Sequence, residues 1–185
     1  MLPTKSEIPA IIGGYVAQGY TELPNPGGTG AQILAHRALN KVVKFSGDPS
    51  FDHFAEFVQN NEAHYFPKIY LHDCPDGPFE LDDIGQWPQI ESRTEMEYLD
   101  SLPPQHHAGV AEWIAHVMDA RRDQKSLPPL NGLEQAIDVL FKEVDKERES
   151  NHRNRKIGGL DLKLDNIMVR PTTGQWVIID GFGSA

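Results

Sequence analysis

The residues best equipped for chemistry lie together near the C-terminal end of the chain. Asp161, Lys163, Asp165 and Asn166 are closely spaced, and Asp180 follows after two apolar runs, Ile167 to Val169 and Trp176 to Ile179. Between the runs stands Pro171-Thr172-Thr173-Gly174, with proline early and glycine at the exit, as turns favour. The segment is predicted to be a β-hairpin, and a hairpin brings its two ends together. Asn166 and Asp180 then stand side by side, with Asp161 near them. Carboxylate and amide oxygens gathered at the mouth of a sheet suit a hard divalent cation such as Mg2+. Such an ion takes one or two side chains and completes its shell with water and phosphate oxygens.

Several upstream elements must support this corner. A glycine-dense turn containing Gly28 and Gly30 enters the apolar run Ala31 to Leu34. Asn40 to Phe45 alternates as a strand does and carries Lys44. Asp48 is a candidate N-cap, and Pro49 suits the first turn of a helix carrying Phe51, Phe54, Phe57 and Val58 at helical spacing, with Glu56 on it. Strands are expected over Phe66 to Asp73 and from Gln89 out through Leu99, with a turn at Asp76-Gly77. Beyond Pro103-Pro104 two helices follow. Val110, Trp113, Ile114, Val117 and Met118 line one; Leu133, Ala136, Ile137, Leu140, Phe141 and Val144 line the other. Residues 1–20 fit a short helix or a strand equally. The whole reads as an α+β chain.

Composition narrows the function classes. A length of 185 residues allows one good core or two small lobes. No apolar run approaches the roughly 20 residues a membrane helix needs, and the start has too little basic and apolar character for a secretory signal. The net charge of −10 and pI near 5.2 oppose nonspecific attraction to nucleic acid. Cys74 is the single cysteine, so no intrachain disulfide is expected and no Cys-based zinc site. None of the histidines, among them His106, His107, His116 and His152, is assigned to a transition metal.

Asp161-x-Lys163-x-x-Asn166, followed after a hairpin by Ile178-Ile179-Asp180-Gly181-Phe182-Gly183, resembles the catalytic loop and metal-binding motif of the protein kinase superfamily. The resemblance implies a two-lobed fold. An antiparallel N-lobe with one helix spans about residues 1–99, and a reduced helical C-lobe carrying the catalytic hairpin spans about 100–185. It implies ATP and Mg2+ as cofactors, Asp161 and Lys163 as catalytic residues, and Asn166 and Asp180 as metal ligands. Gly28 and Gly30 would cover the phosphates, and Lys44 would pair with the α and β phosphates. Glu56, or else Glu62, would hold that lysine. Met96 and Tyr98 would stand at the hinge beside the adenine.

Three features depart from the family's pattern. Gly159-Leu160 stands where kinases commonly carry His-Arg, so a phosphorylated activation loop has nothing to grip. Gly181 is additional within the metal motif, and the sequence stops at Ala185 before any activation loop. Together these resemble the minimal kinases of bacterial effectors and lytic phages. The first expectation is a serine/threonine protein kinase acting on a protein, such as one of a host, either in the cytoplasm or delivered into a host cell without a classical signal. The alternatives are a small-molecule phosphotransferase of the aminoglycoside or choline kinase type and a nucleotide-binding pseudokinase scaffold.

Overall fold

In the computed structural model, residues 7–24, 31–74, 92–123, 125–149 and 157–183 are described. They form an α+β chain with four α-helices, a five-stranded antiparallel sheet and smaller β-elements. The chain divides into two compact units. One is drawn from residues 1–60 and 68–98, the other from 61–67 and 99–185. Gly28 and Gly30, the turn at Asp76-Gly77, and Gln89 to Glu91 lie outside the described residues.

The first unit is a sheet with strand order β1-β2-β3-β5-β4 and two helices. Its strands are β1 (Thr21–Leu23), β2 (Gln32–His36), β3 (Lys41–Ser46), β4 (Ile69–Asp73) and β5 (Ser92–Glu97). Alternation along β3 assigns its faces. Val43 and Phe45 are fully buried with Leu34, Tyr20 and Ile8, and Ile8 opens helix α1 (Ile8–Ala17). Residues 8–17, which fitted helix and strand alike, are thus helical; Ile11, Ile12 and Tyr15 cover this core. Lys44 stands on the opposite face, in one cross-strand row with Thr94 of β5 and His72 of β4.

Helix α2 (Pro49–Asn60) lies on that second face. Its start is as expected: Asp48 Oδ1 accepts hydrogen bonds from the Ser50 N–H at 2.9 Å and the Ser50 hydroxyl at 2.7 Å. Phe51, Phe54 and Val58 are buried as expected, but Phe57 is only half-buried, and Asp52 joins the buried set instead. The helix ends at Asn60. Glu62 falls beyond it and is exposed.

The second unit holds helices α3 (His107–Arg122) and α4 (Leu133–Glu149). Their inward stripes are Val110, Trp113, Val117 and Ala120, and Leu133, Ala136, Ile137, Leu140 and Val144. Three expected stripe members fall short of full burial: Met118 is 54% exposed, and Ile114 and Phe141 are half-buried. A helix advances about 100° per residue, which carries Met118 from Val117 toward solvent. The β-elements are β6 (Asp100–Ser101), β7 (Gly159–Leu160), β8 (Ile167–Val169), β9 (Trp176–Ile178) and β10 (Phe182–Gly183). They assemble as the sheet β6-β8-β9 and the pair β7-β10.

The predicted hairpin is β8-β9, with Ile167 opposite Ile178 and Val169 opposite Trp176. Its turn closes when the Arg170 carbonyl accepts from the N–H groups of Thr173 and Gly174. Gly174 has φ of +72°, a region open to glycine at little cost, and a Cβ there would meet nothing within 4 Å. Gly174→Ala should therefore destabilise by about 1 kcal/mol through backbone strain alone, with Gly174→Asn costing less. Equilibrium urea unfolding of the two variants measures this.

Candidate active site

Two backbone hydrogen bonds fix the position of Asp180. On one side the Ile179 N–H donates to the Asn166 carbonyl at 3.0 Å, which extends the β8-β9 ladder by one step. On the other, the Gly181 carbonyl accepts from the Asp161 N–H at 3.0 Å. The β7-β10 pair continues this second link, with Phe182 opposite Leu160 and the Gly183 carbonyl accepting from the Gly158 N–H. Asp180 is therefore held between the strand that ends near Asn166 and the segment that begins at Asp161. Phe182 and Ile178, 1% and 0% exposed, anchor the residues on either side in the core.

Asp161, Lys163 and Asn166 form one polar cluster. Asn166 is buried, and its amide nitrogen donates to the Asp161 carbonyl at 2.7 Å and to Asp161 Oδ2 at 3.3 Å. With the nitrogen committed, the amide oxygen must point the other way, as an oxygen ligand requires. The Lys163 ammonium sits 2.6 Å from the same Oδ2. Asp161 Oδ2 thus takes both donors. Lys163 is held above its usual pKa chiefly by the hydrogen bond to Asp161; burial opposes the rise, and the fields of the Asp161, Asp180 and Asp165 carboxylates add to it. It keeps its positive charge at neutral pH.

The other candidates lie in the first unit. The Lys44 ammonium lies 3.3 Å over the Phe51 ring. Asp52, one helical position on, is a carboxylate that the sequence reading missed, and the Lys44 charge acts on it. The Asp52 side chain is 1% exposed, and burial pushes its carboxyl up to about 7, with Asp48 and Glu56 adding to the rise. Ser92 and Lys44 pull the other way, but the Ser92 hydroxyl proton goes to the Ser46 carbonyl at 3.0 Å. Neither Asp52 oxygen accepts a well-formed hydrogen bond from a described residue. Glu56, one turn further along α2, accepts a hydrogen bond from the Cys74 thiol at 3.3 Å.

Met96 is buried on β5, opposite Val42 and Ile69. Just beyond it the Glu97 N–H donates to the Lys68 carbonyl and the Tyr98 N–H to the Asn40 carbonyl. The Tyr98 ring stacks under the Arg37 guanidinium. These two backbone donors at the expected hinge are therefore used within the fold. No helix among the described residues is long and apolar enough to cross a membrane.

Spacing alone puts Asp52 and Glu56 four apart on one face of α2, and His72 of β4 two residues before Cys74, which lies just past the strand, but it does not show that Asp52 is buried. Compared with protein-family models and with curated proteins, the sequence matches none.

Proposed function

We propose that this protein is an ATP- and Mg2+-dependent phosphotransferase built on a reduced kinase-like plan, with protein serine or threonine hydroxyls as acceptors. The observation that carries the reading is the tethering of Asp180 to both Asn166 and Asp161 through the backbone, which gathers three oxygen-bearing side chains and one lysine within a single hairpin region.

The donor set fits a hard divalent cation. The Asn166 amide presents its oxygen because its nitrogen is occupied by Asp161, and Asp180, next in the chain to Ile179 whose N–H bonds the Asn166 carbonyl, is the carboxylate proposed to join it. Asn166 and Asp180 would hold Mg2+. When bound, the ion supplies charge neutralisation to phosphate oxygens. Asp161 Oδ1 accepts the hydrogen bond of the acceptor hydroxyl and orients it for in-line attack, while Oδ2 stays anchored by Lys163 and Asn166. The Lys163 ammonium, held charged by its acidic neighbours, stabilises negative charge on the transferring group. On the kinase resemblance, Lys44 is the residue proposed to meet the α and β phosphates.

Purified protein incubated with labelled ATP, Mg2+ and a cell lysate is expected to transfer the γ-phosphate to itself or to lysate proteins, and Asp180→Asn should abolish the transfer. Equal labelling by wild type and variant would sink the proposal. ATP consumption driven only by amino alcohols or aminoglycosides would move the acceptor from protein to small molecule.

A further inference from the structure

The first unit carries a second group of ligand-bearing side chains, of which only Glu56 has a place in the phosphotransfer reading. One ligand atom from each of Glu56, His72 and Cys74 lies within 4.8 Å of the other two. Asp52 stands beside them, with Oδ1 3.9 Å from His72 Nε2, and it is buried without a hydrogen-bond donor among the described residues. A carboxylate placed this way carries a large desolvation cost that a cation removes.

The geometry follows from two regular elements. Residues four apart on a helix face the same way, so α2 contributes Asp52 and Glu56, while β4 contributes His72 and the residue just past its end contributes Cys74, whose thiol reaches Glu56 at 3.3 Å. Tetrahedral zinc with bonds of about 2.0 to 2.3 Å requires ligand atoms about 3.2 to 3.8 Å apart. The Glu56 Oε1 to Cys74 Sγ distance is 3.3 Å and the His72 ligand atom lies within 4.8 Å of both, while Asp52 Oδ1, 3.9 Å from His72 Nε2, stands at the edge of this group of three and completes the shell by turning in when the metal binds.

His72 is also oriented as a metal ligand is. Its Nδ1 is 2.8 Å from the Thr94 hydroxyl oxygen, so Nε2 is the nitrogen to bind, and Thr94 selects the tautomer by accepting from Nδ1–H. The ligand set, one thiolate, one imidazole and carboxylates, selects a borderline metal such as zinc over Mg2+ or Ca2+, which prefer oxygen alone. Charge also balances: Asp52, Glu56 and a Cys74 thiolate carry three negative charges, which a divalent ion and the nearby Lys44 ammonium neutralise.

We infer that Asp52, Glu56, His72 and Cys74 form a zinc site that clasps α2 to β4. On binding, the Cys74 thiol releases its proton to solvent and the thiolate takes the metal. A single cysteine excludes a site made of cysteines, not a mixed one of this kind. The site stands independently of the phosphotransfer reading and is read out without nucleotide.

The test uses the full chain, stripped with chelator and titrated with Co2+ and then Zn2+. Wild type should bind one equivalent of Co2+ with a thiolate-to-metal charge-transfer band and tetrahedral visible bands, and Zn2+ should displace it and raise Tm. Cys74→Ser, at a half-buried position, should stay folded by circular dichroism yet lose the charge-transfer band. His72→Gln should weaken Zn2+ binding about 100-fold or more, and Thr94→Val about 10-fold with the band retained. Absence of the band in wild type, or Zn2+ binding by Cys74→Ser as tight as wild type, would overturn the assignment.

Discussion

Asp161→Asn is expected to lower phosphotransfer about 1,000-fold while leaving the fold and its Tm nearly unchanged. The side chain is 36% exposed, so replacing it removes no packing. What the substitution removes is the one group that can both accept the substrate hydroxyl's hydrogen bond and stand as counter-charge to Lys163 2.6 Å away. An asparagine in its place still fills the volume and can still accept from the Asn166 amide, so Asn166 keeps its orientation. The loss should therefore fall on kcat, with KM for ATP changed little, because nucleotide binding does not require the hydroxyl to be oriented. Steady-state kinetics with the best protein acceptor decide the matter. A variant with wild-type kcat would show that Asp161 only supports the loop. The double variant Asp161→Asn, Lys163→Met gives a second reading. If the two residues act on one transition state, its loss should fall well short of the product of the single losses.

Phe182→Ala should destabilise the protein by about 3 to 5 kcal/mol and lower its Tm by about 6 to 20 °C. Phe182 is 1% exposed, and β10 has only two residues, so the ring is what holds this short strand against Leu160 of β7. Its neighbours Gly181 and Gly183 pass the consequence to the site, because their carbonyls accept from the N–H groups of Asp161 and Gly158. A loosened β10 releases one of the two tethers on Asp180. Below the melting temperature the variant should therefore also need more Mg2+ for half-maximal activity. Phe182→Leu, which keeps most of the buried apolar surface, should cost under about 1.5 kcal/mol and leave the Mg2+ requirement close to wild type. Thermal denaturation and Mg2+ titration of the two variants separate anchoring from general stability. A Phe182→Ala protein that melts with wild type would remove Phe182 as the anchor of the corner.

The parts of the molecule legible in the sequence are those decided by neighbours along the chain. The hairpin is one: the turn Pro171 to Gly174, its β-branched flanks and the polar groups at its ends lie within one continuous stretch, so local preference and final structure agree. The start of α2 is another, since an Asp48 cap and Pro49 act within a single turn. The inward stripes of α3 and α4 were readable apart from Ile114, Met118 and Phe141, because periodicity finds a helix's apolar side without showing how wide the facing core is.

Tertiary structure alone decided the rest. Ile8 to Ala17 becomes a helix because Leu34, Val43 and Phe45 offer it a sheet face to cover, and nothing in its own ten residues favours that outcome strongly. Asp52 reads as a surface acid until α2 settles on the row of Lys44, Thr94 and His72. That row exists only because β5 pairs with both β3 and β4, strands far apart in the chain. A sequence specifies which side chains share an element's face from spacing alone. Which faces meet depends on where distant strands pair, and that pairing is what turns an ordinary aspartate into a buried charge beside a histidine.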